Sequence, residues 1–149
     1  MFYTVKCPNL LLLGQKMTEI FSKEWMTKYK SLWNEDREHI QQLADSDFSA
    51  NVGFGLQDED NPRVIVEVQN GIITGLGAYK GETLSWDLRG KTDFWVEVTQ
   101  KSPSLMKLGL AYTSRELKFF KGDYSAMVKD PYLSAAFIKC FKFMNAVYS

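Results

Sequence analysis

The chain of 149 residues is long enough to bury a core and short enough to form a single domain. Its 18 basic and 18 acidic residues give a formal net charge of zero, which argues against nucleic acid as a partner, because no overall positive potential attracts it. The apolar run Leu10-Leu11-Leu12-Leu13 is too short to span a membrane, and two cysteines far apart in the chain are typical of a reducing compartment. We therefore expect a cytoplasmic protein without stable membrane insertion.

Composition and charge vary along the chain. Residues 1–16 look unlike the rest of the chain, and Met17 would make a natural start, so we predict an N-terminal extension over 1–16 and one domain over 17–149.

Within that domain, residues 34–60 hold eight acids and one arginine, whereas residues 101–142 hold eight bases and three acids. Such segments are usually solvated faces, and the basic one is alternatively a rim that attracts an acidic head group.

Two amphipathic helices are predicted at the start of the domain. Over residues 18–33, apolar side chains recur at helical spacing between charged ones. Asn34 then has the character of a helix N-cap, because two acids follow it, and the second helix ends near Asp45. The only histidine of the chain, His39, lies in this acidic helix, where we expect it to be exposed.

Alternating apolar and polar residues predict four strands in the middle of the chain. The first covers residues 50–56 and the second 64–69. Asn70-Gly71 is typical of a tight hairpin turn into a third strand over 72–79, because both residues tolerate a positive φ. A fourth strand follows over 83–88. The pattern favours an antiparallel meander of these four strands.

The last third of the chain contains one ambiguous segment. Residues 92–100 alternate like a strand, although the first two also suit a helix start, and the pattern alone favours the strand. Residues 103–113 are predicted to form a helix with Pro103 in its first turn, and residues 116–121 a short strand. After Pro131, apolar residues at regular helical spacing predict a long final helix.

Motifs for catalysis, phosphate binding and metal binding are missing from the sequence. One histidine cannot form a triad or a histidine zinc cluster, and there is no G-x-S-x-G, Walker A or C-x-x-C motif. Gly71, Gly75 and Gly77 fall in a hairpin, so we interpret them as turn and packing residues. We expect no cofactor, no metal and no catalytic residue. One alternative stays open: a small cavity enzyme in which Asp87 or Glu67, otherwise ordinary polar strand positions, is a lone buried base.

Apolar bulk is the main chemical feature of the sequence, with four tryptophans and ten phenylalanines. These side chains form at least a core, but a sheet under several helices often also leaves an apolar space that holds a ligand. Met106, Met127 and Met144 would give such a space adaptable walls. A second alternative is a structural or dimerisation module whose apolar C-terminal helix pairs with another chain.

Four segments of the chain, taken in order, resemble the sterol carrier protein type 2 domain. That family typically shows a strand ending in an Asn-Gly hairpin, a strand with an acidic position, a helix opened by an Asp-Phe pair, and a short lysine-bearing strand that closes on Gly-Asp before another helix. The resemblance covers about residues 18–148. The corresponding segments are Val64-Ile65-Val66-Glu67-Val68-Gln69-Asn70-Gly71, Leu84-Ser85-Trp86-Asp87-Leu88, Thr92-Asp93-Phe94-Trp95 and Glu116-Leu117-Lys118-Phe119-Phe120-Lys121-Gly122-Asp123.

The resemblance implies an α+β fold in which helices cover a five-stranded, mostly antiparallel sheet and enclose an apolar tunnel. It implies a helix, and not a strand, over residues 92–100. It also implies non-catalytic binding and transfer of a fatty acid, acyl-CoA, sterol or phospholipid. We expect a monomer or a homodimer. The residues expected to contact the ligand are Trp86, Phe94, Trp95, Val98, Leu105, Leu108, Phe119, Phe137, Phe141 and Met144.

Overall fold

The computed structural model describes residues 19–148, so the predicted extension over 1–16 lies outside the described residues. Helices and strands follow one another through this part of the chain in an α+β order. The elements are α1 (Lys23–Glu35), α2 (Arg37–Asp45), β1 (Ala50–Leu56), β2 (Val64–Gln69), β3 (Ile72–Ala78), β4 (Trp86–Gly90), α3 (Thr92–Gln100), α4 (Leu105–Thr113), β5 (Leu117–Lys121), α5 (Tyr124–Lys129) and α6 (Pro131–Ala146).

The first two helices begin later than predicted, and in each case the capping residue explains why. Phe21 has a φ of 70°, which a right-handed helix cannot contain, and Ser22 caps α1 by accepting a hydrogen bond from the Trp25 amide at 3.3 Å. The prediction that Asn34 caps α2 is wrong. Asn34 lies within α1, and its side chain bonds the backbone N–H and C=O of Ile73 in β3. The N-cap of α2 is Asp36.

The five strands form one mixed sheet in the order β3-β2-β1-β4-β5. The β2–β3 hairpin is confirmed, with φ of 49° at Asn70 and 84° at Gly71. The predicted four-stranded meander is wrong, because β4 pairs in parallel with β1 on the side away from β2. The crossing segment is tied to β1 by two bonds of Asn51, which accepts from the Ser85 amide at 2.9 Å and donates to the Thr83 carbonyl at 3.0 Å. The other neighbouring strands are antiparallel, as the resemblance implies.

The segment after β4 is a helix, as the resemblance implies and the pattern alone did not. Five of the nine residues of α3, which are Phe94, Trp95, Val96, Val98 and Thr99, are buried. A helix buried on most of its surface lacks the polar face that gives an amphipathic helix its period, and this is why the residues also alternate like a strand.

Helices α4 and α6 and the last strand lie close to their predicted positions, whereas α5 was expected only as the helix that the resemblance places after Gly122-Asp123. Pro103 does not open α4, because Ser104 is the N-cap and accepts from the Lys107 amide at 3.1 Å. The final helix predicted after Pro131 is confirmed, and it includes Pro131 in its first turn after Asp130 as N-cap. Among residues 19–148, no helix has both the length and the apolar character needed to cross a membrane.

The helices lie on one face of the sheet, and the other face is covered by a loop. Side chains of alternate residues in β1 and β4, including Val52, Phe54 and Leu88, join the helices in the core. On the opposite face, a Cβ built on Gly53 or Gly55 would lie within about 3 Å of Pro62, so the β1–β2 loop packs directly on the strand backbone.

Asp87 is not the ordinary polar strand residue that the sequence predicts. Its side chain faces the loop side of the sheet, and only 6% of the residue is exposed. The guanidinium of Arg89 donates to both of its carboxylate oxygens, at 2.6 and 3.0 Å, and also to the carbonyls of Leu56 and Glu59. A buried ion pair is tolerated when further hydrogen bonds satisfy both partners. The pair therefore fastens the β1–β2 loop to β4.

His39 is buried, contrary to prediction, with 1% of its surface exposed. Its ring packs edge-on against Trp33 and Phe143, with centroids 4.4 and 5.1 Å away. Neither ring nitrogen has a hydrogen-bond partner among residues 19–148. Burial disfavours the charged imidazolium and lowers the pKa of His39 to about 4, an effect that Asp36 opposes and Lys139 reinforces.

Candidate ligand-binding site

An apolar cavity of about 60 Å³ lies between the sheet and α6. Strand side chains form its floor, and side chains of α1, α2, α5 and α6 form its walls. The lining residues are Trp33, Leu43, Phe48, Val52, Phe54, Trp86, Leu88, Phe119, Met127, Leu133, Ala136, Phe137 and Cys140.

The period of each element explains why these residues meet at the cavity. In β1 and β4, residues two apart point to the same face of the sheet, which brings Val52 and Phe54 beside Trp86 and Leu88. In α6, residues 133, 136, 137 and 140 follow the spacing of one helical face. The cavity is therefore where a strand face and a helix face meet without full contact.

Gly122 fixes the position of the Trp86 side chain. Its φ is 103°, which favours glycine, and a Cβ at this position would collide with the indole ring of Trp86. On its other side the indole packs against Phe119, with ring centroids 6.1 Å apart. The Trp86 side chain is therefore held between Gly122 and Phe119 at this end of the cavity floor.

The cavity offers dispersion contacts and no acid–base chemistry. Its single ionisable group is the thiol of Cys140, and burial raises the pKa of that thiol to about 12, so it stays protonated and unreactive. Asp87 and Glu67, the acids considered for a cavity enzyme, do not line it. Apolar cavities of this kind stay dry and accept apolar molecules.

The cavity is smaller than a lipid-sized ligand requires, since ligand pockets usually measure about 300–1,000 Å³. The wall formed by α5 is the one most easily displaced. Of the six residues in that helix only Met127 is buried, and it points into the cavity. Methionine adapts to the shape of its neighbours because its side chain is unbranched and flexible. A movement of α5 with Met127 would enlarge the cavity and expose only one residue that is now buried.

Three of the ten residues predicted to contact ligand line the cavity: Trp86, Phe119 and Phe137. With Tyr112 and Tyr124 they form the cavity aromatic cluster, in which ring centroids are 3.8 to 6.3 Å apart. The outer members of this cluster are only partly buried.

The other seven predicted residues lie outside the cavity wall. Leu105 is half-buried at the start of α4, and the remaining six are buried in the core: Phe94, Trp95, Val98, Leu108, Phe141 and Met144. A second group of rings, the core aromatic cluster, includes three of them. Its members are Phe21, Trp25, Phe94, Trp95 and Phe141, and each is 8% exposed or less.

Sequence reasoning missed most of the cavity wall, although one signal for it was present. Val52, Phe54 and Leu88 alternate on strands that the sequence predicts, so their common face was already implied. The bounds of β4 were wrong, because it covers Trp86–Gly90 and not 83–88. Trp33 and Leu43 required the packing of α1 and α2 on α6, which no local pattern contains. Met127 was recognised as a possible wall residue and does line the cavity.

Wider concavities also lie at the surface. A groove of about 750 Å³ runs between α1 and β3, beside Phe21, Met26 and Leu76. A polar hollow of about 460 Å³ lies on the loop side of the sheet, next to Asp87 and Arg89. The groove is lined by Lys23 and Arg63 as well as by apolar side chains, and the polar hollow is bordered by an ion pair whose hydrogen bonds are already made. The apolar cavity, which no charged side chain among residues 19–148 lines, therefore remains the candidate site.

The fold and the cavity define an α+β protein with an apolar space beneath a helical layer. No protein-family description matches the chain, and no curated protein is similar to it in sequence. The chain is similar to the solution structure of a conserved hypothetical protein, possibly a sterol carrier protein, from Thermus thermophilus. The TM-score is 0.63 at 18% identity, over 85% of this chain and 88% of that one.

A second solved structure points to the same fold. The crystal structure of sterol carrier protein 2 matches with a TM-score of 0.62 at 21% identity, over 84% of this chain and 96% of that one. The chain therefore has the fold of sterol carrier protein 2, which confirms the resemblance noted in the sequence and the predicted fold class. In place of the implied tunnel, the described residues surround the small cavity.

Proposed function

We propose that this chain binds and transfers a lipid-like ligand, such as a fatty acid, acyl-CoA, sterol or phospholipid, without catalysing a reaction on it. The observation that carries the proposal is the apolar cavity between the sheet and α6, whose wall has no carboxylate and a thiol held neutral. The names of the two similar structures, one of them possibly a sterol carrier and the other sterol carrier protein 2, support the ligand class.

The energetics favour loose, micromolar binding. Each buried CH₂ group of an alkyl chain contributes about 0.8 kcal/mol, so a long chain gains on the order of 10 kcal/mol before costs. Association entropy and the displacement of α5 offset much of this gain. Because the wall lacks polar groups that would recognise a head group, chain length should matter more than head-group chemistry.

Displacement of a fluorescent fatty-acid probe tests the proposal. The purified chain should bind the probe in the micromolar range, and unlabelled palmitate should compete it away. Ala136 lines the cavity, so Ala136→Val adds two methyl groups where the ligand would lie and should weaken probe binding at least fivefold. Ala135→Val is the matched control, because Ala135 is the preceding residue of the same helix and does not line the cavity.

The two variants also define the result that would overturn the proposal. Equal affinity of Ala136→Val and Ala135→Val would place the ligand elsewhere, for example in the groove between α1 and β3. Absence of probe binding at tens of micromolar would exclude lipid binding by this chain.

A further inference from the structure

The outer face of α4 is apolar, and no described residue covers it. Only Lys107 is charged among the nine residues of this helix. Leu108 and Ala111 face inward and are buried, whereas Met106 and Leu110, one turn apart, are 77% and 62% exposed. Large apolar side chains that are exposed side by side are typical of a contact surface.

Four basic residues lie in α4 or in the segments that flank or contact it. Lys101 precedes α4, Lys107 lies within it, Arg115 follows it, and Lys118 is on β5, against which α4 packs. Residues 101–118 contain these four bases and one acid, Glu116. Glu97 of α3 also reaches this surface, so it holds four bases and two acids. Although the whole chain has no net charge, this surface is locally positive, and it complements an anionic partner.

We propose that α4 docks on the surface of an anionic lipid bilayer, with Met106 and Leu110 inserted at the level of the head groups. A standard protein interface uses about 20–30 residues a side, which is far more than this short face offers. A bilayer needs only a few apolar side chains together with flanking bases. Lys107 also pairs with Glu97 at 3.1 Å, but the pair is exposed and too weak to withhold the lysine from phosphate groups.

The position of α4 relative to the cavity supports a lipid surface over other anionic partners. Tyr112, on the same helix, stacks on Tyr124 with ring centroids 3.8 Å apart and also contacts Phe119, which lines the cavity. A bilayer at α4 would therefore lie next to the outer wall of the proposed ligand site. The proposal goes beyond ligand binding, because it assigns the surface at which lipid is exchanged.

Co-sedimentation with vesicles tests the docking surface. The wild-type chain should bind vesicles of 70% phosphatidylcholine and 30% phosphatidylserine, and it should bind pure phosphatidylcholine vesicles or vesicles in 500 mM NaCl more weakly. Met106→Gln/Leu110→Gln should weaken binding to the anionic vesicles at least about tenfold. Ile72→Gln, the matched control, removes a side chain that is 43% exposed on β3, at the opposite edge of the sheet, and should change binding less than twofold.

Three results would overturn the proposal. The first is equal vesicle binding by the wild type and the double variant, or no binding by either. The second is a concentration-dependent dimer in analytical ultracentrifugation that the double variant abolishes, without vesicle binding, because the face would then join two copies. The third is a loss of thermal stability in the double variant without vesicles, which would mean that Met106 and Leu110 pack against the chain itself and are not free to meet a bilayer. Without vesicles, the double variant and Ile72→Gln should bind the fatty-acid probe as the wild type does, since none of the three residues lines the cavity. A loss of probe binding would count against the proposed function and not against the docking surface.

Discussion

The core aromatic cluster and the cavity aromatic cluster are built from the same residue types, yet they differ in packing. In the core cluster every ring is at most 8% exposed, and Trp95 donates a hydrogen bond to the Gly55 carbonyl at 2.9 Å. In the cavity cluster Tyr112 is 37% exposed, Trp86 and Phe119 are partly buried, and space remains beside them. The two clusters touch where Phe137 meets Phe141, with ring centroids 5.1 Å apart.

This difference shows that aromatic content alone does not separate a core from a binding site. What separates them is whether neighbouring elements close on the rings. The core cluster is enclosed by α1, α3 and α6, whereas the cavity cluster is closed on its outer side only by α4 and the short α5. Stability should therefore depend on the first cluster and ligand affinity on the second.

Truncation in the core cluster should have the largest effect on stability. Phe141 is fully buried and contacts Phe94, Trp95 and Phe137, so Phe141→Ala should lower the free energy of unfolding by about 3–5 kcal/mol. Urea denaturation at pH 7 measures this change. Tyr132→Ala, on the exposed side of the same helix, is the control and should cost less than about 1 kcal/mol. A similar cost for both variants would contradict close packing around Phe141.

Acid should destabilise the fold through His39. The pKa of His39 is about 4 in the folded chain and about 6.5 when unfolded, so the unfolded state takes up the proton first as the pH falls. The contribution of a neutral His39 is complete above pH 6.5 and is lost towards pH 4, by about 3 kcal/mol in total. His39→Leu removes the titration, so its urea stability should stay flatter across this interval. Parallel pH profiles of the wild type and the variant would contradict a buried, unpaired imidazole.

Enlarging the cavity should exchange stability for affinity. Met127 is 4% exposed and fills space at the cavity wall, so Met127→Ala should cost about 2 kcal/mol of unfolding free energy. The same change should tighten binding of the fatty-acid probe severalfold, because less of the wall then has to be displaced. Unfolding curves and probe titrations measure the two effects. Weaker probe binding by this variant would contradict a wall that must move.

The smallest effect on stability is expected at the α3–α4 surface. Lys107 and Glu97 form an ion pair in which both side chains are about 60% exposed, so Lys107→Gln should change the unfolding free energy by less than about 0.5 kcal/mol. Thermal unfolding at low and high salt checks this. A loss of more than about 1 kcal/mol would show that α4 is held in place by charge and not by its buried residues.

The sequence predicted the local elements well, because their signals are local. The Asn70-Gly71 turn, the alternation in β1 and β2, and the regular stripe after Pro131 all depend on neighbouring residues. The parallel pairing of β4 with β1 could not be read in this way, since it depends on a crossing segment without a distinctive turn. Residues 92–100 were resolved only by resemblance to a known family.

The candidate site was predicted only in part, for the same physical reason. Trp86, Phe119 and Phe137 line the cavity, but nothing in their spacing distinguishes them from Phe94, Trp95 and the other buried residues of the core. Burial of His39 and of the Asp87–Arg89 pair was also missed, because both depend on elements distant in the sequence. Packing between distant elements decides which apolar residues enclose space.

Fluorine NMR of the chain labelled with 5-fluorotryptophan tests the central claim most directly. Of the four tryptophans, Trp33 and Trp86 line the cavity, while Trp25 and Trp95 are buried away from it. Titration with palmitate should shift the resonances of Trp33 and Trp86 and leave those of Trp25 and Trp95 nearly unchanged, with each resonance assigned by a Trp→Phe variant. Shifts confined to Trp25 and Trp95, or no shift at any tryptophan, would contradict a ligand site between the sheet and α6.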